Sequence, residues 1–293
     1  MMRALPTDSL VDTTGTIQEE IKPPIIVNVW IHGTRLAPKG ILENFFYSPD
    51  GLMHSQLIDT KYHVRTIVDT ICQGDPEQFD SEHFYIFGWC GSLCFNARHT
   101  AGQKLYQALI DVQEMYWQRD RQPVEFRLFA HSHGGNVALS AAHWHPEDAP
   151  SFTVRELVLM ACPVQEHTQK YLLHPSFQTV YSLYSTIDLI QIIDPQGLYK
   201  NIQKPMSLFS QRVFKHDPKI YQVRLRMDRH PLTHGEFIFK PFLRHMGAVL
   251  NAIREHALLY QPDKHPLIHI TTGSRRPHLH RKFGTPKVEI SQS

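Results

Sequence analysis

Short runs of β-branched and other apolar residues recur along the chain, each bounded by polar or turn-forming residues. The run that starts at residue 25 reads IIVNVWIH, a nearly continuous apolar stretch typical of a parallel strand buried on both faces. The predicted strands cover residues 25–32, 83–87, 126–130, 154–161, 179–184 and 220–225.

Between these strands the apolar positions follow a helical period. Over residues 97–117 they recur every three or four positions, which predicts a helix with one buried face. Further helices are expected at residues 136–144 and 241–258. The alternation indicates the α/β fold class, with a mostly parallel sheet of about six strands and helices on both faces.

The same pattern divides the chain into three parts. Residues 25–260 are expected to form one α/β domain, preceded by a loose N-terminal arm at residues 1–24. Residues 261–293 are rich in Pro, His, Lys and Arg, with few large apolar residues at any regular period, and predict a flexible basic C-terminal tail.

Composition narrows the classes of partner. The 293 residues carry 30 Lys and Arg against 28 Asp and Glu, a net charge of +2, which argues against nucleic acid as a partner. No apolar run reaches the roughly 20 residues of a transmembrane helix, and the first 20 residues do not resemble a secretory signal. Four sparse cysteines indicate reduced thiols. We therefore expect a cytoplasmic protein without a transmembrane segment, of undetermined oligomeric state.

One segment has the spacing of a nucleophilic serine. Ala130, Ser132 and Gly134 form a small-x-Ser-x-Gly pattern between a predicted strand and a predicted helix. Small residues are needed two positions before and after the serine, because strand and helix backbones approach closely at such a turn. The turn also directs the first N–H groups of the helix toward an oxyanion.

With these residues the chain resembles the α/β-hydrolase superfamily, and within it the lipase-like and esterase-like serine hydrolases. The resemblance covers about residues 25–258 and includes the His-Gly-Thr turn at 32–34, the FGWCGS segment at 87–92 and the LMACPV segment at 159–164. It implies an α/β-hydrolase fold whose first two strands are missing or shortened. It also implies an oxyanion hole formed by the backbone N–H groups of His133 and Thr34.

The resemblance further implies an acid and a base in the chain order Ser, acid, His. Asp188, which follows the strand at 179–184, is the preferred acid, and Asp194 is the alternative. His234, between the last predicted strand and the closing helix, is the preferred base, and His230 is the alternative.

Other candidate chemistry is weaker. Several histidine pairs have spacings that zinc accepts, but acidic or cysteine ligands at matching intervals are lacking, so no metal is predicted. Phosphate-binding and dinucleotide-binding glycine motifs are absent, so no cofactor is expected. The expected substrate-binding residues, at and after the oxyanion turn, are His32, Gly33, Phe45 and Phe46.

The sequence therefore predicts a serine esterase or lipase-like hydrolase that cleaves a small-molecule or lipid ester through an acyl-enzyme on Ser132. His234 would move the proton, and Asp188 would orient the histidine. Two alternatives stay open: a non-catalytic protein of hydrolase fold that binds a partner, and an acyltransferase that uses the same three residues.

Overall fold

The computed structural model describes residues 22–35, 43–146, 152–188, 190, 214–215, 217–257, 267–271 and 287–291. The strands are Ile25–Ile31 (β1), Gly51–His54 (β2), Phe84–Gly88 (β3), Val124–His131 (β4), Val154–Met160 (β5), Phe177–Tyr184 (β6), Ile220–Met227 (β7), His230–Pro231 (β8), Leu267–Thr271 (β9) and Lys287–Ser291 (β10). The helices within those residues are Glu43–Phe46 (α1), His63–Gly74 (α2), Phe95–Asp120 (α3), Gly134–Ala141 (α4), Glu166–Gln169 (α5), Lys240–Leu243 (α6) and Met246–Ala257 (α7).

The strands form one mixed sheet in the order β10-β9-β7-β6-β5-β4-β1-β3-β2, with β8 paired to β7. The neighbours from β9 through β7, β6, β5, β4 and β1 to β3 are parallel. Strands β2, β8 and β10 pair antiparallel with their neighbours. Because the parallel strands point the same way, the loops that follow them meet at one edge of the sheet.

Helices cover both faces of the sheet, and each face has its own apolar core. Leu105 and Leu109 of α3 and Val137 of α4 belong to one core, which includes Val29 of β1. Helices α2, α6 and α7 pack on the other face, where Trp30 of β1 is buried. The alternation of Val29 and Trp30 is the period of two expected of a strand buried on both sides.

The sheet is larger than the sequence predicts, because the described residues alone contribute ten strands instead of about six. Two of the additional strands, β9 and β10, come from the residues that the sequence assigns to a flexible tail. Strands of the same sheet therefore occur on both sides of the expected domain boundary at residue 260. Strand β2, at the opposite edge, is only half-buried along its four residues. Short edge strands carry little apolar periodicity, which is why the pattern does not indicate them.

The predicted helices agree with the structure in position, but two of them are divided. The predicted closing helix is two helices, α6 and α7, and the helix expected at 136–144 is α4 followed by a 3₁₀ turn at Ala142–Trp144. Residues 1–21 of the predicted arm lie outside the described residues. None of the described helices combines the length and apolar character needed to cross a bilayer.

Candidate active site

Ser132 lies on a sharp turn between β4 and α4, with a φ of 52° that L-residues rarely adopt. Its N–H donates to the Met160 carbonyl at 2.8 Å, and its own carbonyl accepts from Gly135 at 2.9 Å. A Cβ on Gly134 would lie 2.5 Å from the His32 carbonyl oxygen. Only glycine fits at position 134, so the backbone of the turn can touch the end of β1.

The turn after β1 lies directly beside the serine. A Cβ on Gly33 would come within 2.8 Å of the Ser132 Cβ. Trp89, after β3, fixes this turn: its indole N–H donates to the His32 carbonyl at 2.8 Å, and its backbone N–H donates to His32 Nε2 at 3.1 Å. His32 Nδ1–H in turn donates to the Gly33 carbonyl at 2.6 Å. Burial lowers the pKa of His32 to about 4, so the imidazole is neutral and both contacts are satisfied.

Both predicted oxyanion residues lie next to Ser132. His133 is the residue before α4, with helical φ and ψ of −62° and −11°, so its backbone N–H belongs to the start of that helix. Thr34 follows Gly33, and its hydroxyl oxygen is buried without a hydrogen-bond partner among the described residues.

Asp188 and His234 are in contact. The Asp188 carboxylate is fully buried after β6, and His234 Nδ1 lies 3.0 and 2.9 Å from its two oxygens. His234 begins a 3₁₀ turn, His234–Ile238, in which the Glu236 carboxylate accepts from the Thr233 N–H. Of the two alternatives, His230 lies exposed in β8, and Asp194 is outside the described residues.

Histidines also flank the serine. His131 Nε2–H donates to the His234 carbonyl at 3.1 Å, and the two rings lie 4.8 Å apart. Burial, and then the charge of His234, lower the pKa of His131 to about 3. Burial, and then the Arg98 guanidinium, lower the pKa of His133 to about 3. Both rings are therefore neutral at neutral pH.

A cavity of about 460 Å³ opens over Ser132, and its walls are mainly apolar. The predicted residues on its surface are His32, Gly33, Thr34, Phe45, Ser132, His133 and His234. Asp188 contacts His234, and Asp188 is not part of the lining. The Phe46 side chain is outside the described part of the structure.

Further lining residues come mostly from parts of the chain that carry no motif, and His131, within the serine turn, is an exception. They are Trp30, Arg35, Tyr47, His63, Val64, Ile67, Leu93, His131, Ile190, Gly235, Ile238 and Phe239. The His63 ring stacks on Phe45 at 4.3 Å. The helical spacing of Val64 and Ile67 could have indicated a buried α2, but nothing in the sequence places that helix beside Ser132. Within the described ranges, no three His, Cys, Asp or Glu side chains are grouped so that they could hold a metal ion.

Comparison with known proteins finds similarity among solved structures only. No known family profile matches the sequence, and no curated protein matches it. Among solved structures, the chain is similar to "the putative cell surface hydrolase from Lactobacillus plantarum WCFS1", with 14% identity and a TM-score of 0.45. The match covers 81% of this chain and 94% of the other.

Proposed function

We propose that the protein is a serine hydrolase that cleaves a carboxylic or lipid ester through an acyl-enzyme intermediate. The contact between the buried Asp188 carboxylate and His234, which lines the same cavity as Ser132, carries this proposal. A buried carboxylate that accepts from Nδ1–H fixes the tautomer in which Nε2 is a free base. The proposal makes Ser132, on a strained turn in the wall of the same cavity, the nucleophile that this base activates.

In the proposed reaction, Ser132 Oγ attacks the ester carbonyl carbon while His234 Nε2 takes the hydroxyl proton. Asp188 stabilises the resulting imidazolium. The tetrahedral intermediate collapses when His234 returns the proton to the alcohol oxygen, which leaves the acyl group on Ser132. Water, activated by His234, then releases the acid and restores the serine.

Donors for the oxyanion are the backbone N–H groups of His133 and Thr34. The N-terminus of α4 adds partial positive charge at His133. The Thr34 hydroxyl, buried without a partner among the described residues, is proposed as a further donor, because Thr34 lines the same cavity as Ser132. The hydrogen bonds from Trp89 support this role, because an oxyanion hole acts only if its donors are held in place before the reaction.

The apolar walls of the cavity favour an acyl chain as the group held next to Ser132. All four cysteines are free thiols, which fits a reducing compartment, so a cytoplasmic location is part of the proposal.

A fluorophosphonate probe tests the proposal, since such probes label a serine that a neighbouring base activates. We expect labelling of the wild type and none of Ser132→Ala. His234→Ala should slow labelling strongly, and Asp188→Asn should lower ester hydrolysis by about 10⁴-fold because the tautomer is lost. His230→Ala is the matched control: its ring is exposed in β8, and labelling should be unchanged.

Two results would contradict the mechanism. Equal labelling of folded Ser132→Ala would place the nucleophile elsewhere. A folded wild type that is not labelled would favour the non-catalytic binding protein. Release of acid from an ester in water alone, with no added acceptor, separates hydrolysis from acyl transfer.

A further inference from the structure

A second cavity, of about 550 Å³, adjoins the one over Ser132. The two share one lining residue, Arg35, which follows the oxyanion turn. The other walls of this second cavity come from the turn before β2, the end of β3 and the first turns of α3. It is more polar than the cavity over Ser132 and therefore suits a different part of the same substrate.

Two cationic side chains, Arg35 and Lys104, line the second cavity. Arg35 Nη2 donates to the Ser48 hydroxyl, and neither Arg35 nor Lys104 forms an ion pair within the described residues. Asp50 also lines the cavity and offsets one of the two charges. Asn96, in the first turn of the 26-residue helix α3, brings the positive end of the helix dipole to the same wall.

From this arrangement we infer that the second cavity binds a phosphate monoester carried by the alcohol part of the substrate. The inference rests on the proposed function, because it assigns the acyl chain to the cavity over Ser132. The substrate class is then an acyl ester of a phosphorylated alcohol. An arginine, a lysine and a helix N-terminus together match the charge and the several acceptor oxygens of a phosphate.

The distances along the chain fit one molecule that occupies both cavities. Gly33 lies against Ser132, and Arg35 is only two residues further, a span of at most about 7 Å between Cα atoms. In the inferred complex, a three-carbon alcohol links the ester carbonyl at Ser132 to the phosphate at Arg35.

Binding can be measured without catalysis. In a Ser132→Ala background we would titrate glycerol 3-phosphate by calorimetry. Arg35→Gln and Lys104→Gln should each raise the Kd about tenfold, the loss expected for one charge-assisted contact. Asp50→Asn should lower the Kd, because it removes the only carboxylate among the described lining residues. Arg155→Gln, at the start of β5 and so at the opposite end of the strands from Ser132, is the matched control and should bind as Ser132→Ala does.

Kinetics with the intact serine distinguish a lipid head group from a free phosphate. We would compare a monoacylglycerol phosphate with the neutral monoacylglycerol of the same chain length. Lys104→Gln should lower kcat/KM for the phosphate ester about tenfold and leave the neutral ester unchanged, since Lys104 lines only the second cavity.

The outcomes separate this inference from the proposed function. Hydrolysis of both esters with equal kcat/KM, and no binding of glycerol 3-phosphate, would overturn the phosphate site and keep the hydrolase. Binding that depends on Arg35 and Lys104, without hydrolysis of either ester, would keep the site and overturn the hydrolase. Binding that is the same in the Arg35 and Lys104 variants as in their Ser132→Ala parent would overturn the site.

Discussion

Three neutral histidines surround the proposed nucleophile. Burial is the first cause of the lowered pKa in His32, His131 and His133 alike. Any of them in the charged form would repel the imidazolium that the mechanism requires on His234. The neutral rings instead form directed hydrogen bonds, as His131 does when it donates to the His234 carbonyl and His133 does when its Nδ1 accepts from the Asn136 side chain. In the proposed mechanism, burial of the other three histidines therefore leaves the proton transfer to His234.

These lowered pKa values also predict a pH dependence of stability. An unfolded chain binds protons on these histidines near pH 6.5, while the folded chain binds them only near pH 3 to 4. The free energy of unfolding should therefore fall as pH drops from about 6.5 to 4, each histidine contributing about 1 kcal/mol per pH unit. Urea unfolding of the wild type and His131→Gln between pH 4.5 and 7 measures the difference.

The glutamine variant keeps a side-chain N–H that can donate to the His234 carbonyl, so its main effect is the loss of one titrating group. Its slope of stability against pH should be shallower by about 1 kcal/mol per pH unit. His230→Gln is the control, because burial is the cause of the lowered pKa of His131 and the His230 ring is exposed. Its slope of stability against pH should match that of the wild type. Equal slopes for wild type and His131→Gln would contradict the assignment of a neutral buried His131.

At the scale of elements, the packing of α3 against α4 holds the helix that follows Ser132. A Cβ on Gly102 of α3 would lie 2.6 Å from the Ser140 Cβ and 2.8 Å from the Ser140 carbonyl carbon. We expect Gly102→Ala to lower the free energy of unfolding by about 1–3 kcal/mol through overpacking, despite the higher helix propensity of alanine. Chemical denaturation would measure the change.

Gly235→Ala provides the comparison, because the nearest atoms to its added Cβ belong to the Phe239 ring at 3.8 Å. That variant should stay within about 0.5 kcal/mol of the wild type. If Gly102→Ala were as stable as Gly235→Ala, the close approach of the two helices would not limit the fold.

Some elements of the fold can be predicted from the sequence and others cannot. The apolar period over residues 97–117 lies inside the observed α3, because a long amphipathic helix repeats its signal over many turns. Strands β9 and β10 are too short to repeat an apolar period. They join the sheet by pairing with neighbouring strands, β9 with β7 and β10 with β9. The serine turn is contiguous in sequence, whereas the contact from His131 to His234 and the cavity between Arg35 and Lys104 exist only in the folded chain.

Across the whole molecule, a buried charge network lies toward the opposite end of the strands from Ser132. Glu156 of β5 accepts from Arg127 of β4, and from Arg254 of α7 at 2.7 and 2.8 Å. The Tyr181 hydroxyl of β6 donates to the same carboxylate at 3.2 Å, and Arg254 Nη1 donates to the Gln78 side chain at 2.8 Å. One carboxylate thereby joins three neighbouring strands to the helix that covers them.

Glu156→Gln tests how much of the fold depends on that carboxylate. Burial raises the pKa of Glu156, but the hydrogen bonds and charges of Arg254 and Arg127 outweigh it and lower the pKa. Its stabilising effect is therefore present at neutral pH and is lost as pH falls through the lowered folded-state pKa.

The Glu156→Gln variant leaves the buried Arg127 and the partly buried Arg254 without their anion and should lose about 3–5 kcal/mol in urea unfolding at pH 7. Glu125→Gln, which removes a partly exposed pair with Arg155, should lose at most about 1 kcal/mol. Folded Glu156→Gln should keep the kcat of the wild type in the proposed ester hydrolysis, because none of the residues in the network lines the Ser132 cavity. A large fall in kcat with unchanged stability would contradict a structural role.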